Sequence, residues 1–129
     1  MKRPLPLAML FAAGVPNAAH SQSNNPAIVA VELTNFRFDP QALHLRAGVP
    51  IVLRLHNGAS GGHNFTAVEF FSSAKVSQSS AAAVHNGTVE VPKHGTVDIS
   101  LMPSAGSYRL RCSHTFHSAF GMKGVIRVD

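Results

Sequence analysis

Outside residues 69–87, apolar side chains recur at every second position in short runs from Ile28 to the end of the chain. Ile51, Leu53 and Leu55 alternate with Arg54 and His56, and Thr96–Leu101 alternates in the same way. Ser107–Cys112 sets Tyr108, Leu110 and Cys112 on one face and Arg109 and Arg111 on the other. A strand sends successive side chains to opposite faces, so each such run has one face to bury and one to solvate. Turn residues punctuate the runs at Asp39-Pro40, Ala47-Gly48, Lys93-His94-Gly95 and Pro103–Gly106. Ile28–Leu33, Ala42–Arg46, Thr88–Val91 and Met122–Val128 are also expected as strands, and Asn35–Asp39 alternates before the Asp39-Pro40 turn. Many short strands between turns predict an all-β fold, a Greek-key β-sandwich or barrel. Glu69-Phe70-Phe71 and the Ser/Ala-rich stretch after it break the rhythm and predict a flap or short helix at about residues 70–86. Ala81-Ala82-Ala83 favours helix weakly there.

At 129 residues and 45% hydrophobic content the chain is one domain with a core to bury, not a disordered polymer. Lys2 and Arg3 precede a short apolar stretch from Leu5 to Val15, and Ala19-His20-Ser21 supplies small residues where a signal peptidase reads. The expectation is a signal peptide over 1–21, cleavage after Ser21, and a mature domain over 22–129 exported to the periplasm. The apolar stretch falls short of the roughly 20 residues a membrane span needs, so no membrane span is expected. The formal charge is +5, and loss of Lys2 and Arg3 lowers it by two. That excess is modest, and no dense Lys/Arg run suggests nucleic-acid binding.

The chemistry concentrates in Cys112-Ser113-His114-Thr115-Phe116-His117-Ser118-Ala119-Phe120-Gly121-Met122. Cys112 is the only cysteine, so an intrachain disulfide is impossible even in an oxidising compartment. Taken alone, such a thiol is better explained by core burial. Its neighbours argue otherwise. Four residues separate Cys112 from His117, and four separate His117 from Met122, so a folded-back loop can converge all three side chains. A second imidazole stands at His63, directly after the glycine-rich Asn57–Gly62 loop. Alone, His63 reads as a loop histidine; beside the Cys112 stretch it completes a thiolate, two imidazoles and a thioether. That donor set suits copper, with Met as the weak axial ligand.

Gly62-His63-Asn64-Phe65, followed by Tyr108-x3-Cys112-x4-His117-x4-Met122 and a closing Gly-x-Ile-x-Val, resembles the cupredoxins, the blue or type 1 copper proteins of plastocyanin/azurin type. The ligand-loop spacing is similar to that of rusticyanin and auracyanin. The resemblance covers roughly residues 28–128. It implies metal ligands His63, Cys112, His117 and Met122, one mononuclear copper cycling between Cu(I) and Cu(II), and a link from Asn64 to Ser113 between the two ligand segments. Gly62 would offer a carbonyl on the side opposite Met122. His114 departs from the pattern, because that part of the loop more often holds an aromatic residue or proline. Two residues beyond Cys112, it is expected to face away from the metal. His44, His56, His85 and His94 are expected at the surface, and Met102 as core or loop filler.

The implied function is a periplasmic carrier of single electrons, monomeric and not an enzyme, meeting a redox protein such as a cytochrome or copper enzyme. Phe116, Ala119 and Phe120 would flank the His117 edge where partners meet, and Arg109 and Arg111 would steer an acidic partner. The alternative is a periplasmic copper-binding protein for tolerance, sequestration or delivery, which the same ligands would serve. Multicopper oxidases and copper nitrite reductases resemble repeated cupredoxin domains and carry His before the cysteine; here that residue is Arg111. A binuclear copper centre needs two bridging cysteines, and a cysteine hydrolase needs an exposed, base-paired thiol.

Overall fold

A computed structural model describes residues 1–6, 8–16, 24–115, 117 and 119–129. His20, the expected cleavage point at Ser21, and Phe116 lie outside the described residues. The described part of the leader has neither strand nor helix, and Leu5, Leu10 and Phe11 are exposed. Among the described residues no helix is long and apolar enough to cross a membrane.

The predicted strands form close to their expected bounds, β1 Ala27–Thr34, β2 Arg37–Asp39, β3 Ala42–Leu45 and β4 Ile51–Asn57, and a further strand, β5 His63–Thr66, follows the glycine-rich loop. Two short helices follow, α1 Val68–Ser73 and α2 Gln78–Ala81, with the two-residue strand β6 Lys75–Val76 between them. Then come β7 Thr88–Val91, β8 Thr96–Met102, β9 Gly106–Arg111 and β10 Lys123–Val128. The flap is therefore real and helical at both ends. It also lends β6 to the edge of a sheet, a pairing of two residues that no periodicity announces.

Two five-stranded sheets make a sandwich rather than a closed barrel, in the orders β2-β1-β4-β8-β6 and β3-β10-β9-β5-β7. β1 pairs with β4 and β3 with β10 in parallel; the other pairings are antiparallel. The alternation of β4 is obeyed residue by residue: Ile51, Leu53 and Leu55 are buried, while Arg54 forks onto Asp98 of β8 with two bonds of 2.9 Å on the outer face. Leu33, Leu53, Leu55 and Ile99 of one sheet meet Phe65, Val89, Leu110 and Ile126 of the other in one core. Phe38 and Phe65 cross edge to face at 5.8 Å, a contact worth about 0.5–1.5 kcal/mol beyond the area it buries.

Three local readings change. Asn35–Phe36 is a turn and not strand: Thr34 pairs with Arg37, which leaves a two-residue hairpin loop. Met102 ends β8 instead of starting the next loop. Tyr108 is half-buried on β9, and its hydroxyl reaches the carbonyls of Ser104 and Ala105 while accepting a bond from Ser73, so it ties α1 to the β8–β9 loop.

Candidate copper site

The site lies where β5 begins and β9 ends. All four residues of β5 are buried, which fixes His63 to a strand paired to β7 along its whole length and to β9 at Thr66. The approach to it is set by Asn57. The Asn57 amide donates to the carbonyls of Gly61 and Val91, at 2.8 and 2.9 Å, and its oxygen accepts the Ala59 N–H at 2.9 Å. Buried and fully bonded, Asn57 shapes the 57–62 loop that delivers His63. In the sequence alone it reads as a loop residue. The one signal for it was Asn-Gly at a strand end, which marks a turn but not a buried anchor.

Cys112 follows β9 and is fully buried. The chain then folds back on itself: His117 N–H donates to the His114 carbonyl, Met122 N–H to the His117 carbonyl, and Cys112 N–H to the Met122 carbonyl. Gly121 takes φ +99°, a conformation that side-chain-bearing residues avoid, at the point where the loop turns into Met122. Met122 is wholly buried in the core cluster, with its backbone bonded at both ends to the loop's other candidate ligands.

Three predicted donors converge. His63 Nδ1 and His117 Nδ1 are 3.0 Å apart, Cys112 Sγ is 3.3 Å from His117 Nδ1, and it is 3.9 Å from His63 Nδ1. The circle through these three atoms has a radius of about 2.0 Å, close to metal–imidazole and slightly below metal–thiolate bond lengths. Among the described residues they form the one cluster of its kind able to hold a metal ion. Burial, and then the charges that His117 and His114 would carry, push the His63 imidazole below its usual range, toward the neutral form a metal requires. Its other nitrogen, Nε2, is buried without a partner among the described residues, so packing rather than an outer hydrogen bond orients this ring.

Asn64 ties the halves together as the resemblance implied. Its amide donates to Ser113 Oγ at 2.7 Å and to Glu90 Oε1 at 2.8 Å, and its oxygen accepts the Ser113 N–H at 2.8 Å and the Thr66 hydroxyl at 2.9 Å. Its backbone N–H lies 3.5 Å from Cys112 Sγ, a contact that favours thiolate. His114 does not join the cluster. Its Nε2 is 3.0 Å from Glu90 Oε2, and its ring lies obliquely beside His117, centroids 5.3 Å apart, and covers Gly62. It flanks the site where an outward orientation was expected. Burial raises the Glu90 carboxyl, but the hydrogen bonds from Asn64 and His114 outweigh it and hold the group below its ordinary range.

The family model of the cupredoxin-like domain matches residues 5–128. The chain belongs to the cupredoxin-like family. No curated protein matches it at the sequence level. Among solved structures, this cupredoxin is similar to dithionite-reduced auracyanin from Roseiflexus castenholzii, at 20% identity and TM-score 0.60 over 80% of this chain and 97% of that one. It is similar to auracyanin B at 21% identity and TM-score 0.60, covering 84% and 93%. A multicopper oxidase from Campylobacter jejuni superposes with TM-score 0.61 at 11% identity, over 84% of this chain but only 31% of the oxidase. At these identities the likeness is one of fold. Cupredoxins bind one copper ion, and the soft thiolate and two imidazoles gathered here fit it.

A rim residue absent from the motif completes the picture. Phe36, in the β1–β2 turn, sets its ring perpendicular to His117 at 5.2 Å and tilted against Phe120 at 5.3 Å. Its backbone has φ +60°, which for a bulky residue costs of order 1–3 kcal/mol. No spacing argument linked residue 36 to residue 117.

Proposed function

We propose that the protein is a type 1 copper electron carrier of the periplasm, in which His63, Cys112, His117 and Met122 would hold the metal. The observation that carries this reading is the 3.0–3.9 Å triangle of two imidazole nitrogens and one sulfur, held by a backbone already folded around it. Copper would supply a reversible one-electron couple. The chain's part is to hold the donors in a single geometry, because donors that need not move between oxidation states add little reorganisation to the transfer. β5 fixes His63, Asn64 fixes Ser113 and so the start of the ligand loop, and the N–H of Asn64 supports charge on the Cys112 sulfur. His117 is half-buried and lies at the surface end of the site, against Phe36, which in turn packs on Phe120; the two phenylalanines are 41% and 67% exposed. Electrons would pass through that edge to a redox protein such as a cytochrome or copper enzyme, with exposed Arg109 and Arg111 favouring an acidic one. The protein would work as a monomer and not as an enzyme. The leader of residues 1–21 would direct export of the 22–129 domain.

The deciding experiment is the absorption spectrum of the Cu(II)-loaded protein. An intense thiolate-to-copper band near the red end is expected, and Cys112→Ser should abolish it. A weak or absent band together with tight zinc binding overturns the reading. Copper sequestration or delivery is the second reading, kept by the half-buried His114 beside His117 at the rim. A reversible one-electron wave with fast self-exchange favours the carrier, whereas ready transfer of copper to an acceptor favours delivery.

A further inference from the structure

Among the described residues, three other than glycine have positive φ: Phe36, Asn86 and His94. Asn and His are among the types that tolerate the left-handed region; Phe is not. The β1–β2 hairpin loop has only two residues, and positive φ at its second position is a place for Gly or Asn. The chain carries Asn35 one position earlier, where φ is not positive, and puts an aromatic ring at the strained one. That ring is not core: it is 41% exposed and outside the buried cluster. Among the described residues its aromatic contacts are the imidazole of His117 at 5.2 Å and the ring of Phe120 at 5.3 Å, and the Phe36 carbonyl is the nearest group to Gly121, 4.0 Å from where a Cβ would stand. All three belong to the 112–122 ligand loop.

We propose that the Asn35–Phe36 turn is a lock on the ligand loop, and that Phe36 is a positioning residue which holds the His117 imidazole in its ligating orientation. The strained backbone is the cost of aiming the ring at His117. Sheet pairing does the same work for His63; the start of the 112–122 loop is tied by Asn64 to Ser113 and by Glu90 to His114, and the His117 stretch beyond takes its side constraint from this turn. The role rests on the copper reading above, although the lock itself is a property of the chain with or without metal.

The test compares Phe36→Gly and Phe36→Asn, which suit the left-handed backbone and lose the ring, with Phe36→Tyr, which keeps it. In the copper-free protein, hydrogen exchange at the His117 and Met122 amides should quicken about tenfold in the Gly and Asn variants, the scale of a lost aromatic contact, while β4 and β8 amides keep their parent rates. Copper-loaded samples should lose metal to a chelator about tenfold faster, and Tyr should restore both within about twofold. Parent-like loop exchange in the Gly and Asn variants overturns the lock, as does a uniform rise across the whole sandwich. An absent thiolate band in the parent sinks the copper reading instead, and leaves the exchange result to judge the lock alone.

Discussion

The two imidazoles of the site are held in opposite ways. His63 sits on a strand whose four residues are all buried, paired to β7 and touching β9, with Asn57 shaping its approach. His117 sits in a loop that mostly bonds to itself, half-buried, between the exposed ring of Phe36 and His114. A metal site needs rigid donors and also needs contact with the outside. Here the two demands are divided: one wall belongs to the fold, and the other belongs to a loop clamped from a neighbouring turn. Asn64 is the joint, because it bonds across to Ser113 and back to Thr66 and Glu90.

The division is tested most sharply by removing each imidazole. His117→Gly should open a hole at the rim, and free imidazole added to the copper-loaded variant should restore the intense visible band. His63→Gly leaves its gap behind β5, where His63 was 3% exposed, and added imidazole should not restore the band. Equal rescue at both positions would erase the distinction between the walls. Next in size is the joint. Asn64→Ala removes the acceptor of the Ser113 N–H and one of the two partners of the Thr66 hydroxyl, which keeps Thr88, and should destabilise the copper-free protein by about 1–2 kcal/mol in denaturant unfolding. It should also weaken copper binding by about 10–100-fold in a competition titration, as loss of groups that orient ligands does.

The smallest effect lies at Glu90. Its folded value is below that of an unfolded glutamate, so the carboxylate contributes stability above about pH 4.3 and loses that contribution as pH falls through the lower folded value. The melting temperature of the copper-free parent should exceed that of Glu90→Gln at neutral pH, and the gap should close in acid. Glu90 is largely exposed and solvent screens it, so the difference is about 0.5 kcal/mol or less. A gap that widens in acid would show that Glu90 does not brace Asn64 and His114 as a carboxylate.

Period-two alternation placed the main strands and the sandwich, because burying one face of a strand leaves a mark on every second residue. β6 escaped, since two residues carry no period, and Asn35–Phe36 was misread, since alternation ran straight through a turn. The Cys112–Met122 spacing exposed the ligand loop because a loop that short brings its own side chains together. His63 was legible only by pairing it with that loop through chemistry and family likeness.

Composition and order along the chain thus determined an all-β domain, a lone thiol and a donor set that suits copper. Tertiary structure alone decided that Asn57 is a buried anchor, that His114 turns to Glu90, and that Phe36 leans on His117. Those contacts join residues 24–81 positions apart, or depend on which way a loop bends. Local propensity is blind at such separations, and only the assembled sheets bring such pairs within reach.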